Sequence, residues 1–537
     1  MNAKRLRSTT ISTLLLVLIL LPATAFAQGA GAAFRGDPFL RGRNLCGVGT
    51  LPVGYVPEGN YRASSASLYG GTEQGDFRPG FSSSSIWRAG AEARTDGFYD
   101  RGRTFLTGSF SFEEMHGKDM MTSMFINPGY YPIDVLEFTP GDKKLQTYRF
   151  SGGIGRALTD RWRIGGRVDF ASQNYSKRKD IRHTNYALDL TVSPSVLYTG
   201  EEGLRLGLSG VFRKSSESIE AEQVGAATAE TYMAFFDKGL RYGTIQAWDG
   251  SGIHLAEAGV NRLPVREFSF GAAIQLACQA LYLDAEYLRT SGFVGEKGYD
   301  WYRFPGHRVA SNALWNHRRF RFSFHIGWMG QDLEESVIDK VNSGGVTLPT
   351  VYGWNLVSRR RQLDLVPTLV LPLSHPAFRS LTLGYVGVIK DEQASPYYPY
   401  TDRWHAALHR VHGAANLGLP FGGAWNRFGL TLGAKALWGS DRSEGLQPTD
   451  PAASFHGLSV ESPIPASEPT RLTSDWVRKR EYMLSSALEL SAGLRYNLAV
   501  LPGLSVSADA AWLHAYRIEY LLGKNRLTAN LRIGYDF

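Results

Sequence analysis

Asn525-Arg526-Leu527-Thr528-Ala529-Asn530-Leu531-Arg532-Ile533-Gly534-Tyr535-Asp536-Phe537 is the stretch that decides the fold. Leu527, Ala529, Leu531, Ile533, Tyr535 and Phe537 fall on one side of an extended chain. Arg526, Thr528, Asn530, Arg532, Gly534 and Asp536 fall on the other. Side chains on a strand point alternately to its two faces, so this segment forms a strand with one apolar and one polar face. A soluble sandwich can half-bury such a strand. In an exported chain that repeats the pattern many times, it reads as the closing strand of a barrel with lipid outside and water inside.

Export is encoded at the other end. Lys4, Arg5 and Arg7 precede an unbroken apolar run from Leu14 to Leu21, and Ala25-Phe26-Ala27 places small residues before Gln28. This is the pattern of a cleaved secretory signal over residues 1–27, and its apolar core is too short for a stop-transfer anchor. No later segment holds the roughly 18 consecutive apolar residues of a membrane helix, so any membrane crossing must be made by strands. The expected organisation is a periplasmic segment over 28–62 and a single barrel over 63–537.

Composition agrees with that reading. The chain has 537 residues, 43% hydrophobic and 20% charged, the average expected when apolar outer and polar inner faces are mixed. The formal charge of +8 falls to +5 once the three basic leader residues are removed, leaving 55 basic against 50 acidic. That surplus is too small to argue for nucleic acid, and export argues against it. Cys46 and Cys278 are the two cysteines. Export permits a disulfide between them, and two separate thiols remain the alternative, because sequence alone does not place their Cβ atoms.

The alternation recurs in pairs joined by short turns. One hairpin runs from about 147 to 172: Tyr148, Phe150, Ile154, Trp162, Ile164, Val168 and Phe170 alternate with Arg149, Arg163, Arg167 and Asp169. Further runs begin at Leu204, join Phe268–Leu276 to Leu281–Tyr287, and set Phe320, Phe322, Phe324, Ile326 and Trp328 against Arg319, Arg321, Ser323 and His325. Others occupy 63–73, 85–95, 103–114, 184–198, 306–316, 359–371, 380–390, 404–418, 427–438, 481–497 and 503–516. With the terminal strand the count is about eighteen, an all-β antiparallel up-and-down transmembrane barrel of 16–18 strands. Short turns near 159–160, 199–203, 278–280, 316–318, 372–379, 419–426 and 499–502 would face the periplasm. The long connections 115–145, 215–264, 331–358 and 439–479 would face outward, the asymmetry of outer-membrane barrels. Trp87, Trp162, Tyr186, Tyr198, Trp328, Trp438, Tyr482, Trp512 and Tyr535 are candidate residues of the aromatic girdles at headgroup level.

Such a barrel is wide enough to leave an aqueous lumen. Its expected lining includes Arg88, Arg103, Arg149, Arg163, Arg167, Arg205, Arg319 and Arg321, with Asp169, Asp284 and Glu286. Rings of arginine would lower the barrier for anions. Charges that pair across strands and merely hydrate the interior are the plainer explanation. Loop 215–264 could also fold inward and occlude the channel. His405, His409 and His412 are the one dense histidine group, but on a strand His412 points away from the other two and no shared metal follows. Aromatic outer-loop clusters (Tyr130-Tyr131; Tyr299 with Trp301 and Tyr302; Tyr397-Tyr398 with Tyr400) could meet sugars or a partner, or pack on one another. His116, His183 and His307 lie near the rim without a spacing that singles out a nucleophile and base, so no enzyme is expected.

Two resemblances add to this. The alternation through Leu531, Ile533, Tyr535 and Phe537 resembles the signal by which the barrel assembly machinery recognises its substrates. The motifs Arg43-Asn44, Gly75-Asp76-Phe77-Arg78 and Lys179-Asp180-Ile181-Arg182 make the chain resemble an uncharacterised family of outer-membrane barrels from Bacteroidetes-type bacteria, known as a domain of unknown function. That resemblance implies a fold and a location in the outer membrane, and no activity. TonB-dependent transporters are the large barrels it departs from. Only about 35 residues, Gln28 to Arg62, precede the first strand, which leaves no room for their plug. The functional expectation is a porin-like channel or surface binding protein for a small solute, without cofactor. The alternative is a non-conducting accessory barrel of a TonB-dependent or secretion complex. The expected surroundings are outer-membrane lipid and lipopolysaccharide, with a TonB-dependent transporter or surface lipoprotein as candidate partner.

Overall fold

The computed structural model describes residues 62–537 except 180–181, 202–203, 223–231, 250–251, 254–261, 279, 297–298, 344–345, 376, 398–399, 420–426, 446, 449–468, 499–500 and 502. The signal segment, Cys46 and Arg43-Asn44 therefore lie outside the described residues. Cys278 is half-buried at the end of its strand.

Eighteen strands form a closed antiparallel ring. The first seven are β1 Arg62–Gln74, β2 Ser85–Tyr99, β3 Thr104–Ser123, β4 Asp134–Ala157, β5 Trp162–Lys177, β6 Arg182–Thr199 and β7 Arg205–Glu222. Three short strands, β8 Tyr232–Asp237, β9 Gly243–Asp249 and β10 Gly252–Ile253, leave the ring. The ring resumes with β11 Arg262–Cys278, which pairs directly with β7. It continues through β12 Leu281–Glu296, β13 Tyr299–Asn316, β14 Arg321–Ser343, β15 Val346–His375, β16 Phe378–Tyr397, β17 Tyr400–Leu419 and β18 Phe428–Ser443. After the two-residue β19 Gln447–Pro448 and helix α1 Pro469–Leu484, the last ring strands are β20 Ala487–Asn497, β21 Leu504–Ala515 and β22 Asn525–Asp536.

The terminal strand closes the ring as its alternation predicts. β22 pairs with β1 from Ser65↔Asp536 to Gln74↔Leu527, and the amide of Phe537 donates to the Ser64 carbonyl at 2.8 Å. Arg526 ties the seam by pairing with Glu73. Closure satisfies every backbone group that an open sheet edge would leave bare. The apolar members of each alternating pair point outward and stay exposed, among them Leu68, Phe150, Ile164, Leu208, Phe270, Ile274, Leu383, Leu432 and Leu531. Trp162 and Tyr198 pair at the short-turn end of this belt, with ring centroids 4.9 Å apart. Tyr186 lies about twelve residues up β6, roughly 30 Å of strand rise at a tilt near 40°.

The structure departs from the sequence reading in three places. Much of what reads as outer loop is strand. Connection 331–358 is a paired ribbon, with β14 and β15 in register from Leu333↔Ser358 to Ser343↔Val346 through two bulges. Connection 115–145 shortens to residues 124–133. Above the apolar belt both faces of a strand meet water or protein, so the period-two signal fades while backbone pairing continues. Second, the run 481–497 is not one strand. Residues through Leu484 belong to α1, β20 starts at Ala487, and Tyr482 rides the helix against Phe77 (5.1 Å) rather than in a girdle. Pro469 suits the first helical position, and Trp476, Met483 and Leu484 share one helical face. Third, Arg103 and Arg319 lie in turns just before their strands begin and do not line the wall.

Candidate functional site

The main buried core lies inside the mouth, at the long-loop end. It joins Met124, Phe125, Tyr131 and Ile133 of the 124–133 loop to Ala234 and Phe236 of β8. The inward faces of β7 and β11–β14 complete it, through Ile219, Leu263, Val265, Phe304 and Leu333. Strand β8 pairs with the start of β4 (Asp134↔Asp237, Val135↔Phe236, Leu136↔Phe235) and with β9, so the β8–β9 hairpin is an inner layer of the mouth.

The tip of that hairpin reaches the opposite wall. Gly239 lies against Ser358 and Ala394, where a Cβ would meet the Ser358 side chain at 2.8 Å. Leu240 packs with Ala394, Trp404 and Ala406, and Trp476, Met483 and Leu484 of α1 complete this cluster. Gly239, Leu240 and Arg241 all have positive φ (121°, 51° and 67°), a conformation costly for the latter two. The Asp237 carboxylate holds the turn by accepting the amides of Gly239 (3.0 Å) and Arg241 (3.1 Å). Lys238 donates to Glu335 at 2.7 Å and Tyr242 to Asp402 at 3.1 Å.

Arg241 is the keystone of this contact. Its guanidinium pairs with Asp237 and with Asp475 of α1, over the ring of Trp476. Burial works against its charge, but Asp475 and Asp237 outweigh that and hold the guanidinium above its ordinary range. Helix α1 is itself anchored. Arg480 pairs with Asp441, and the Glu481 carboxylate accepts the amides of Tyr520 (2.8 Å) and Leu521 (2.6 Å).

The 124–133 loop is fixed from two sides. Arg360 donates to the carbonyls of Gly129 (2.6 Å), Tyr130 and Tyr131 (3.0 Å) and to Gln331. Glu217 accepts the Ile126 amide at 2.9 Å and Asn185 at 2.6 Å, while Asn185 also donates to the Met124 carbonyl. Burial pushes the Tyr131 phenol well above its usual range. Tyr130 and Tyr131, read as outer-loop aromatics, are thus structural. Tyr130 sits between Arg213 and Arg308 and donates to Glu267 at 2.8 Å.

Between these infolded segments and the wall lies a cavity of about 240 Å³. Asp134, Asp237, Arg241, Arg359, Arg360, Arg361, Lys390, Glu392 and Lys479 contribute its charged lining, with Trp476 and Met483 beside them. Burial raises the Asp134 carboxyl to about 6, helped by Asp237 and opposed by Ser123 and Arg241. Burial lowers the Lys479 ammonium below the usual lysine range, with Arg241 and Lys390 adding to the effect against Glu392 and Asp237.

The residues expected to line the lumen lie elsewhere, lower in the barrel. Arg88, Arg149, Arg163, Arg167, Asp169, Arg205, Asp284, Glu286 and Arg321 alternate with outward apolar positions. Several are neutralised locally. Arg88 pairs with Glu73 (3.2 Å), Arg167 with Asp169 (2.7 Å), and Arg163 donates to the Gly102 carbonyl. Asp284 accepts from Tyr282 (2.9 Å) and Asn312 (2.5 Å). His409 stacks outward between Tyr385 and Trp438, while His412 sits on the other face beside Lys435. His116, His183 and His307 bond separately to Glu114, Asn185 and Tyr287. Sequence reasoning missed Arg241, Arg360 and Asp475, because each has a defining partner more than two hundred residues away, and Lys479, because its setting comes from distant segments that meet in the mouth. The triplet Arg359-Arg360-Arg361 was the one visible signal.

Comparison with known proteins gives a family. A family described as "Family of unknown function (DUF6850)" matches residues 52–537. No curated protein matches the sequence. Among solved structures, the FrpB iron transporter of Neisseria meningitidis is similar at 8% identity and TM-score 0.41, over 90% of this chain and 83% of that one. A ferric enterobactin receptor of Pseudomonas aeruginosa gives 9% identity and TM-score 0.41, over 90% and 82%. The ferric preacinetobactin receptor BauA of Acinetobacter baumannii gives 8% identity and TM-score 0.37, over 90% and 80%.

Proposed function

The chain belongs to the DUF6850 family of unknown function, and from that premise we propose that it is an integral outer-membrane barrel that binds a small solute at the cell surface. The role is binding rather than catalysis, and it is exercised with the mouth closed rather than as an open pore. The membrane placement is supported by the exposed apolar belt and by short turns at one end against long connections at the other. On this reading the short-turn end, where Phe537 lies beside Ser64, is periplasmic and the infolded mouth faces outward.

One observation carries the binding reading. Residues 124–133, the β8–β9 hairpin and α1 converge inside the mouth and enclose a charged cavity. An open porin would leave this space to water. The test is planar-bilayer recording of the purified full chain, paired with calorimetric titration of small polar solutes. Low basal conductance together with saturable binding is expected. A steady ohmic pore in the absence of ligand would defeat the reading.

The closed mouth also favours a second role, that of a non-conducting accessory barrel in a larger outer-membrane complex. Stable co-purification with a transporter or surface lipoprotein, and no solute binding, would select it.

A further inference from the structure

We propose that the mouth cavity is a site for a small organic acid, whose carboxylate sits between Lys390 and Lys479 and whose hydroxyl or ammonium group meets Glu392. This rests on the solute-binding reading and names the class of solute.

The argument starts from which charges already have partners. Arg241 is occupied by two carboxylates, Asp237 and Asp475. Asp134 accepts from Ser123 (2.7 Å) and from the Val135 amide (2.8 Å). Arg360 is committed to backbone carbonyls. Arg359 is paired with Asp332 and Arg361 takes the same face of β15, which leaves three charged side chains of this lining. Among the described residues, Lys390, Glu392 and Lys479 form no ion pair or hydrogen bond with the protein. Lys479 has only the Trp476 ring, 5.7 Å from its Nζ.

An ammonium enclosed without a bonded anion is costly; Arg241 and Lys390 repel this one, while Glu392 and Asp237 attract it without bonding to it. A carboxylate placed between Lys390 and Lys479 would remove that repulsion and gain charge-assisted hydrogen bonds. The lining carboxylate that has no bonded partner, Glu392, sets the rest of the ligand's chemistry. It repels a second negative charge and accepts from a hydroxyl or ammonium donor. Size limits the ligand further: about 240 Å³ is roughly the volume of eight water molecules. Small hydroxy acids and amino acids fit all three constraints, whereas sulfate offers no donor to Glu392.

The test is isothermal titration of the full chain in detergent with lactate, alanine, sulfate and galactose, alongside Lys479→Met, Lys479→Arg and Glu392→Gln variants. Heat-modifiable gel migration identifies the variants that have folded barrels. Support is saturable binding of lactate or alanine that weakens at least about tenfold in Lys479→Met. Lys479→Arg should retain most of it, and Glu392→Gln should raise sulfate affinity. Galactose binding that equals lactate binding and ignores Lys479→Met overturns this proposal while leaving solute binding intact. No binding of any probe overturns both.

Discussion

Arg241 and Asp475 pair across 234 residues of sequence, joining the tip of the infolded β8–β9 hairpin to helix α1 in the barrel mouth. Each lies on a segment that belongs to no barrel strand. The pair thus fastens two insertions to each other rather than to the wall.

Replacing Asp475 with Asn should loosen the mouth without unfolding the ring. Removing one partner of a buried pair costs about 3–5 kcal/mol where the charge is left uncompensated. Asp237 still faces Arg241, so the loss should fall at or below the lower end. Hydrogen exchange should accelerate across β8 and β9, and brief openings should appear in bilayer recordings. Unchanged exchange there would mean that packing around Leu240 is sufficient.

Arg360 should not be replaceable by lysine. Its planar fork reaches the carbonyls of Gly129, Tyr130 and Tyr131 at once, a geometry an ammonium on a flexible stem does not reproduce. Arg360→Lys and Arg360→Ala should therefore both expose the 124–133 loop to limited proteolysis. Protection in the lysine variant equal to wild type would count against the fork.

Closure of the mouth should weaken as pH rises. Burial raises the Asp134 carboxyl to about 6, above its ordinary value of 3.8, so the closed mouth holds a proton that the opened one releases. The resulting stabilisation is complete below pH about 4 and is lost as pH rises through about 6. Exchange of the Met124 amide, which bonds to the Val135 carbonyl, should quicken across that window beyond its intrinsic pH dependence. Asp134→Asn should flatten the excess.

Gly292→Ala should destabilise the mouth core. The ring of Phe304, fully buried and opposite in register, occupies the place of the missing side chain, and a Cβ added at Gly292 would meet that ring at 1.8 Å. Overpacking of this kind costs about 1–3 kcal/mol. A lower melting temperature in detergent, with barrel content by circular dichroism unchanged, is the expected result.

Most of the ring was legible in the sequence because lipid imposes a rule on every strand: apolar out, polar in. All eighteen strands carry that alternation somewhere along their length, and the terminal one announces the seam it forms with β1. The rule stops where the lipid does. The β14–β15 ribbon lost its signal above the belt, and α1 was hidden because Tyr482 and Leu484 happen to continue the alternation of β20.

The site was far less legible. Arg360 reads as one of three consecutive arginines, and nothing nearby says that it alone of the three holds a loop more than two hundred residues away. The sequence by itself determined the class of fold and a strand number near eighteen, because periodicity is a local property of the chain. Only the tertiary structure decided that residues 124–133, the β8–β9 hairpin and α1 meet in the mouth and which charges there are left over. Those depend on segments distant in sequence meeting inside the ring, where partners are chosen by space rather than by spacing.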